Sequence, residues 1–199
     1  TYNQPLNTLN AIRGGAQVQN PQFSPAGTGA NYLGAAQAQG QYPQGLYATL
    51  ETSKGTIVCE LLTDKAPVAI RNFGQLAQGL TKWVDPKTGQ RVQRRFYDGL
   101  IFYKVVNGTL IETGDPLGDG TGGPGFQYED EIHPDLKFDR PGRVALANSG
   151  PSSNGSRFFI TVKPMPEMDG RHTIFGQVIT GHSVVKKISK SKTDEQGKP

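Results

Sequence analysis

The stretch Val144–Thr161, VALANSGPSSNGSRFFIT, restricts the fold of this chain more than any other segment. A short apolar run, Val144-Ala145-Leu146-Ala147, breaks at Asn148-Ser149-Gly150-Pro151-Ser152-Ser153-Asn154-Gly155-Ser156 and resumes as Phe158-Phe159-Ile160-Thr161. Small polar residues with Gly and Pro make surface connections, because they reach or fix unusual φ values and hydrogen-bond their own backbone. The pattern predicts strand, loop and strand, with backbone donors and acceptors at the end of a sheet beside an aromatic floor. An ordinary long hairpin fits that pattern, and so does a cradle for an extended peptide.

The rest of the chain fits many short strands joined by turns. Its 199 residues suit one domain plus an appendage, and 26 Gly with 14 Pro at 35% hydrophobic content point to a turn-rich fold. The net charge of +4 is spread along the chain with no arginine stripe and interleaved aromatics, which argues against nucleic acid as a partner. The late lysines Lys186, Lys187, Lys190 and Lys192 read as a solvated helix face. Cys59 is the only cysteine, which excludes an intrachain disulfide and a thiolate metal cluster. Within Thr56–Leu62 it reads as a buried strand thiol. No apolar run is long enough to span a membrane. The chain starts at Thr1 without a signal peptide, as a processed mature chain would, so a bacterial periplasmic or membrane-associated location is expected over the cytoplasm.

Two regions separate by composition. Residues 1–45 are rich in Gln, Asn, Gly, Ala and Pro, carry Arg13 as their only charge, and lack a sustained apolar period. The scattered Tyr2, Leu6, Leu9, Ile12, Phe23, Tyr32, Leu33 and Tyr42 suit an extended strap on a partner protein; a flexible linker is the other reading. Residues 46–199 read as the globular domain. Tyr47–Thr52 and Gly55–Leu61 predict a hairpin turning at Ser53-Lys54-Gly55. Pro67 opens a helix that uses Ala69, Phe73, Leu76 and Leu80 as its apolar face and ends near Gly79. Thr81–Arg95 predicts a polar, basic loop with a turn at Asp85–Gly89. Strands are expected at Leu100–Val106, Leu110–Thr113, Arg157–Val162 and His172–Val178, with a short helix over Ser183–Lys190. The glycines of Asp115–Gly125 lack the Gly-Lys-Ser/Thr ending of a phosphate cradle. Glu129, Asp130 and Glu131 beside His133 would alternate faces on a strand, so a solvated edge is preferred to a metal site.

The spelling of Val144–Thr161 resembles the signature of the cyclophilins, the cyclosporin-binding peptidyl-prolyl isomerases. Further blocks resemble the family in order: Phe96-Tyr97-Asp98-Gly99-Leu100-Ile101-Phe102, then Gly114-Asp115-Pro116 with Gly120-Thr121-Gly122-Gly123-Pro124-Gly125, then Met168-Asp169-Gly170-Arg171-His172-Thr173-Ile174-Phe175-Gly176. The resemblance runs from about Leu46 to Lys190. It implies a mainly β fold, a closed antiparallel barrel capped by two helices, here with an extended N-terminal arm. Cyclophilins usually continue past a Gly-x-Pro like Gly197-Lys198-Pro199 with one more apolar strand. The sequence stops before such a strand, so either it is incomplete or another segment is expected to cover the exposed edge, and the arm is a candidate cover.

The resemblance also implies the chemistry. Rotation about X–Pro breaks no bond, so a catalyst needs an apolar pocket for the ring, a grip on the preceding backbone and a donor for the pyramidal prolyl nitrogen. It needs no cofactor and no metal. The family's arginine is matched by Lys104, which keeps the charge but loses the planar fork, so weakened catalysis is expected. Lys104, Asn148 and His172 are the expected catalytic positions; Phe102, Leu110, Glu112, Ala147, Arg157, Phe159 and Met168 are expected to bind substrate. Thr109-Leu110 stands where the family has Phe-Met, Glu112 and Arg157 stand where it has glutamines, and Glu167 stands where it has a tryptophan. Glu112 and Arg157 are expected to bridge across the groove, and Glu167 argues against cyclosporin binding. The expected partners are proline-containing peptides or proteins. The alternative is a catalytically impaired structural subunit, docked into a larger assembly through residues 1–45.

Overall fold

The computed structural model describes residues 6–14, 22–23, 30–31 and 45–194. The arm anchors Tyr2, Tyr32, Leu33 and Tyr42, and the tail 195–199, lie outside the described residues. The main sheet takes β1 (Leu6–Gly14), β4 (Gly45–Thr52), β5 (Gly55–Leu61), β8 (Lys104–Val106), β9 (Leu110–Thr113), β10 (Arg143–Leu146), β11 (Phe158–Thr161) and β12 (Ile174–Thr180). Two small ribbons pair β2 (Gln22–Phe23) with β3 (Ala30–Asn31), and β6 (Trp83–Val84) with β7 (Arg91–Val92). The helices are α1 (Pro67–Gln78) and α2 (His182–Ser189).

Among the described residues the fold is mainly β with two α-helices. The strand order is β1-β4-β5-β12-β10-β11-β9-β8, antiparallel at every step. Among the described residues no ladder joins β8 back to the far end of the sheet. Curvature brings those ends together instead: α2 packs against β5 and also against β8 and β9, which lie far apart in the order. β1 runs along β4 from Leu6↔Thr52 to Gly14↔Gly45.

Local chemistry explains the elements. The β4–β5 hairpin turns where expected, closed by the Thr52 hydroxyl donating to the Gly55 carbonyl and accepting from the Lys54 N–H. α1 starts at Pro67, where a missing N–H costs nothing, and ends at Gly79 with φ 70°, a left-handed cap that favours glycine. Leu80 falls beyond this cap and is 47% exposed, so it is not part of the helix's apolar face as expected. Thr81–Arg95, expected as a loop, contains the β6–β7 ribbon, in which Trp83 pairs with Val92 and buries its ring edge-on against Phe96.

One core lies inside the curved sheet. Phe73, Phe158, Phe175 and Tyr97 meet there in tilted and edge-on contacts, with Ile57, Leu76, Ile111, Val144, Leu146 and Ile160 around them. Cys59 is part of it, as expected, and burial pushes its thiol up to about 12, so it is inert packing.

Within the acidic run Glu129–Glu131 only Glu129 is exposed as a solvated edge would be; Asp130 and Glu131 are half-buried and hydrogen-bonded. Ala66 gives α1 no side-chain cap, and Glu131 supplies one from a distant loop, accepting from Val68 N (3.0 Å) and Ala69 N (2.7 Å). A carboxylate here satisfies two orphan donors at the positive end of the helix. Removing it in Glu131→Ala is expected to cost about 1–2 kcal/mol in urea unfolding, the range of a lost N-cap. The exposed Glu129→Ala serves as the unchanged control.

Candidate functional site

Period-two alternation gives β9, β10 and β11 two buried faces. Ile111, Phe158, Ile160, Val144 and Leu146 enter the interior core, while Leu110, Phe159 and Ala145 belong to a second cluster on the outer face. The register then sets one row across that face: Lys104↔Glu112, Glu112↔Phe159, Phe159↔Ala145, Ala145↔Ile174. A cation, a carboxylate and an aromatic ring thus stand side by side on neighbouring strands.

The aromatic part is rigid. Phe138 stacks on Phe159 with ring centroids 5.8 Å apart and planes at 16°. His172 meets Phe159 edge-on at 5.2 Å and 88°. Ala147, Leu110 and Met165 complete the cluster, and Met168, at the end of the 3-10 turn Pro166–Met168, packs on it half-exposed. Phe138 is itself fixed: its N–H donates to Asp169 Oδ1 (2.7 Å), and buried Arg143 donates to the Lys137 carbonyl and to Asp139.

His172 presents a defined tautomer. Nδ1 lies 3.1 Å from the Leu146 carbonyl, which can only accept, so Nδ1 carries the hydrogen and Nε2 keeps a lone pair. Burial, the largest influence, lowers its pKa; the Leu146 hydrogen bond and the charges of Asp130 and Glu112 oppose that. At neutral pH His172 is therefore a neutral wall rather than a cation.

The loop after β10 hangs on one carboxylate. Asp130 Oδ1 accepts from Asn154 Nδ2 (2.7 Å) and Asn148 Nδ2 (3.4 Å), and Oδ2 accepts from Ser152 N (2.8 Å). Asn148 also donates to the Arg171 carbonyl, which places its backbone next to His172. On the other side, Gly114 is pressed so closely on the segment just before β11 that a Cβ would collide with the Ser156 carbonyl oxygen. Asp115 then closes the next loop by accepting from the N–H groups of Leu117, Asp119 and Gly120.

The charged end of the row differs from expectation. Among the described residues Glu112 makes no bridge to Arg157. Its Oε2 lies 3.7 Å from Lys104 Nζ, and its Oε1 accepts from the Tyr103 hydroxyl. Arg157 precedes β11, and its guanidinium links the two loops instead, donating to the Gly120 carbonyl (2.5 Å) and the Ser149 hydroxyl (2.9 Å). Direct cross-strand placement favours Lys104 as the partner of Glu112. The Lys104 side chain is 51% exposed and that of Glu112 is 10% exposed, so their attraction is worth about 1 kcal/mol or less.

Of the expected site residues, Leu110, Ala147, Phe159, Met168 and His172 come together, with Lys104, Glu112, Asn148 and Arg157 at the rim. Phe102 does not join them. It precedes β8 and packs in the interior core. The sequence reading missed Tyr103, Asp130 and Phe138. Asp130 carried a signal in its alternation with Glu129 and Glu131, whereas no local pattern singled out Tyr103 or Phe138.

An apolar floor, a loop that presents backbone and a flanking cation define a cradle for an extended chain, and comparison with known proteins gives that class a family. Residues 47–199 match the family described as cyclophilin type peptidyl-prolyl cis-trans isomerase/CLD, and the chain belongs to it. It is 49% identical over 151 residues to peptidyl-prolyl cis-trans isomerase B of Streptomyces anulatus, covering 75% of this chain and 86% of that protein. It is 46% identical over 154 residues to peptidyl-prolyl cis-trans isomerase A of Mycobacterium tuberculosis, covering 76% and 85%. A cyclophilin-type isomerase of Cryptosporidium parvum, crystallised in the presence of the dipeptide Ala-Pro, superposes with a TM-score of 0.66 at 33% identity, covering 77% of this chain and 90% of that one. No helix among the described residues is long and apolar enough to cross a membrane.

The state of His172 gives a pH prediction. An unfolded histidine takes up its proton near pH ~6.5. With the folded pKa below that value, stability is flat above it and falls as pH drops through it, until the folded form is itself protonated. An NMR titration of the His172 ring proton is expected to give a midpoint below the ordinary 6.5, and that part of the acid slope is expected to vanish in His172→Gln.

Proposed function

We propose that this cyclophilin isomerises X–Pro bonds of peptides and proteins, with lower turnover than an arginine at position 104 would give. The observation that carries the proposal is the row Lys104–Glu112–Phe159, which sets a cation at one end of an apolar floor. The proline ring rests against Phe159, between His172, Leu110 and Met168. The backbone at Ala147–Asn148, fixed through Asp130 and Arg171, holds the residue before the proline. Lys104 then offers an ammonium N–H to the prolyl nitrogen as amide conjugation is lost.

The reaction needs little more than this. The barrier of about 18–20 kcal/mol reflects C–N double-bond character, and each ~1.4 kcal/mol removed from it is tenfold in rate. A donor aimed at the nitrogen lone pair acts only in the twisted state, where that lone pair exists, so it lowers the barrier without tightening ground-state binding. Lysine does this less well than arginine. Its charge is strongly hydrated and its stem flexible, and half of this side chain is open to water.

The structural-subunit reading has less support. Leu6–Gly14 of the arm is already paired along β4 of its own domain.

Exchange NMR on a Xaa-Pro peptide tests the proposal. The wild type is expected to catalyse exchange, and Lys104→Ala to lower kcat/KM by about tenfold, as removal of a transition-state donor should. Lys104→Arg is expected to raise it. A wild type and a Lys104→Arg variant both without catalysis would overturn the isomerase reading.

A further inference from the structure

The cation of this groove is held by an unusual partner. In a regular strand neighbouring residues face opposite ways, but β8 begins at Lys104, and Tyr103 lies just before it. Both side chains therefore reach one carboxylate. The Tyr103 hydroxyl donates to Glu112 Oε1, and the Lys104 ammonium lies 3.7 Å from Glu112 Oε2. Each oxygen of Glu112 is committed to a different neighbour on the same segment.

We propose that Tyr103 is a positioning residue of the groove: its hydroxyl pins Glu112 so that the second carboxylate oxygen keeps the Lys104 ammonium directed along the row toward Phe159. This inference rests on the isomerase role of Lys104. The surroundings support it. Tyr103 is buried, and burial, followed by the negative charge of Glu112, raises its pKa, so it remains a hydroxyl donor through the working range. Arg157 acts on Tyr103 in the opposite sense, through its charge and a hydrogen bond to the hydroxyl oxygen, while its other donors serve Gly120 and Ser149; as a pure donor it leaves the hydroxyl hydrogen to Glu112. A carboxylate held at one oxygen offers the other in a fixed place, which a flexible lysine needs and a planar guanidinium would not. Glutamate at position 112 and tyrosine at position 103 thus act with Lys104 as one unit.

A double-mutant cycle tests this on the full chain by exchange NMR, with thermal unfolding checked for each variant. Tyr103→Phe keeps the ring and its packing and removes only the donor. It is expected to lower kcat by roughly three- to tenfold with KM within about twofold, because the interaction lost acts in the transition state. In the Lys104→Ala background the same change is expected to have no effect, the non-additivity of residues that act through one another. An unchanged kcat in Tyr103→Phe, or an equal loss in both backgrounds, would overturn the proposal. The Lys104 side-chain Cε and Hε resonances give a second readout that needs no turnover. They are expected to shift in Tyr103→Phe and in Glu112→Gln. If the wild type and Lys104→Arg both prove inactive, the isomerase reading falls by itself, and unshifted Lys104 resonances would then overturn the positioning of Lys104 as well.

Discussion

Phe158 and Phe159 are neighbours in β11 and point to opposite sides of the sheet, and both sides are buried. Phe158 locks the strand into the interior with Phe73, Tyr97 and Phe175. Phe159 is thereby held on the outer face, backed by Phe138 and walled by His172. A slip of one residue would exchange the two rings and move every side chain of the strand to the wrong face. Core and groove are therefore one structural decision, and the interior packing that stabilises the fold also fixes the floor of the site.

The loops around that floor are held by buried or half-buried carboxylates that each accept several hydrogen bonds from backbone or side-chain N–H groups. Asp130 organises Asn148, Ser152 and Asn154, Asp115 organises the glycine-rich loop, and Glu131 caps α1. One carboxylate that accepts two or three hydrogen bonds orders a loop that has little apolar surface of its own. This explains how segments of small polar residues become ordered. Arg157 adds a tie between the two loops, from the Ser149 hydroxyl to the Gly120 carbonyl.

The charged substitutions at the rim make sense as a set. A lysine in place of a guanidinium loses fixed geometry, and a carboxylate opposite it restores some of that geometry at the cost of damping its charge. The buried Tyr103 hydroxyl keeps that carboxylate in place. In the proposed mechanism this set keeps the ammonium directed along the row while the carboxylate damps its charge.

Much of this was legible in the sequence, for local reasons. The β4–β5 hairpin follows from its turn residues, α1 from Pro67 and Gly79, and the strand–loop–strand unit from the switch between apolar and small polar residues. The motif spelling placed Lys104, Phe159 and His172 in one family site. Leu80 was misread because apolar spacing continues past the left-handed cap at Gly79. Phe102 was misread because a residue next to a strand need not follow its alternation. The partner of Glu112 could not be read from the chain at all. Charges alone allow Arg157 or Lys104, and only the register, which sets Lys104 directly across from Glu112 and sends Arg157 to the loops, chooses between them. The sequence by itself determined most of the elements and the family, because these depend on local periodicity and on the spelling of short motifs. The tertiary structure alone decided which charges meet and which carboxylate holds which loop, because those depend on strand register and on contacts between residues far apart in the chain.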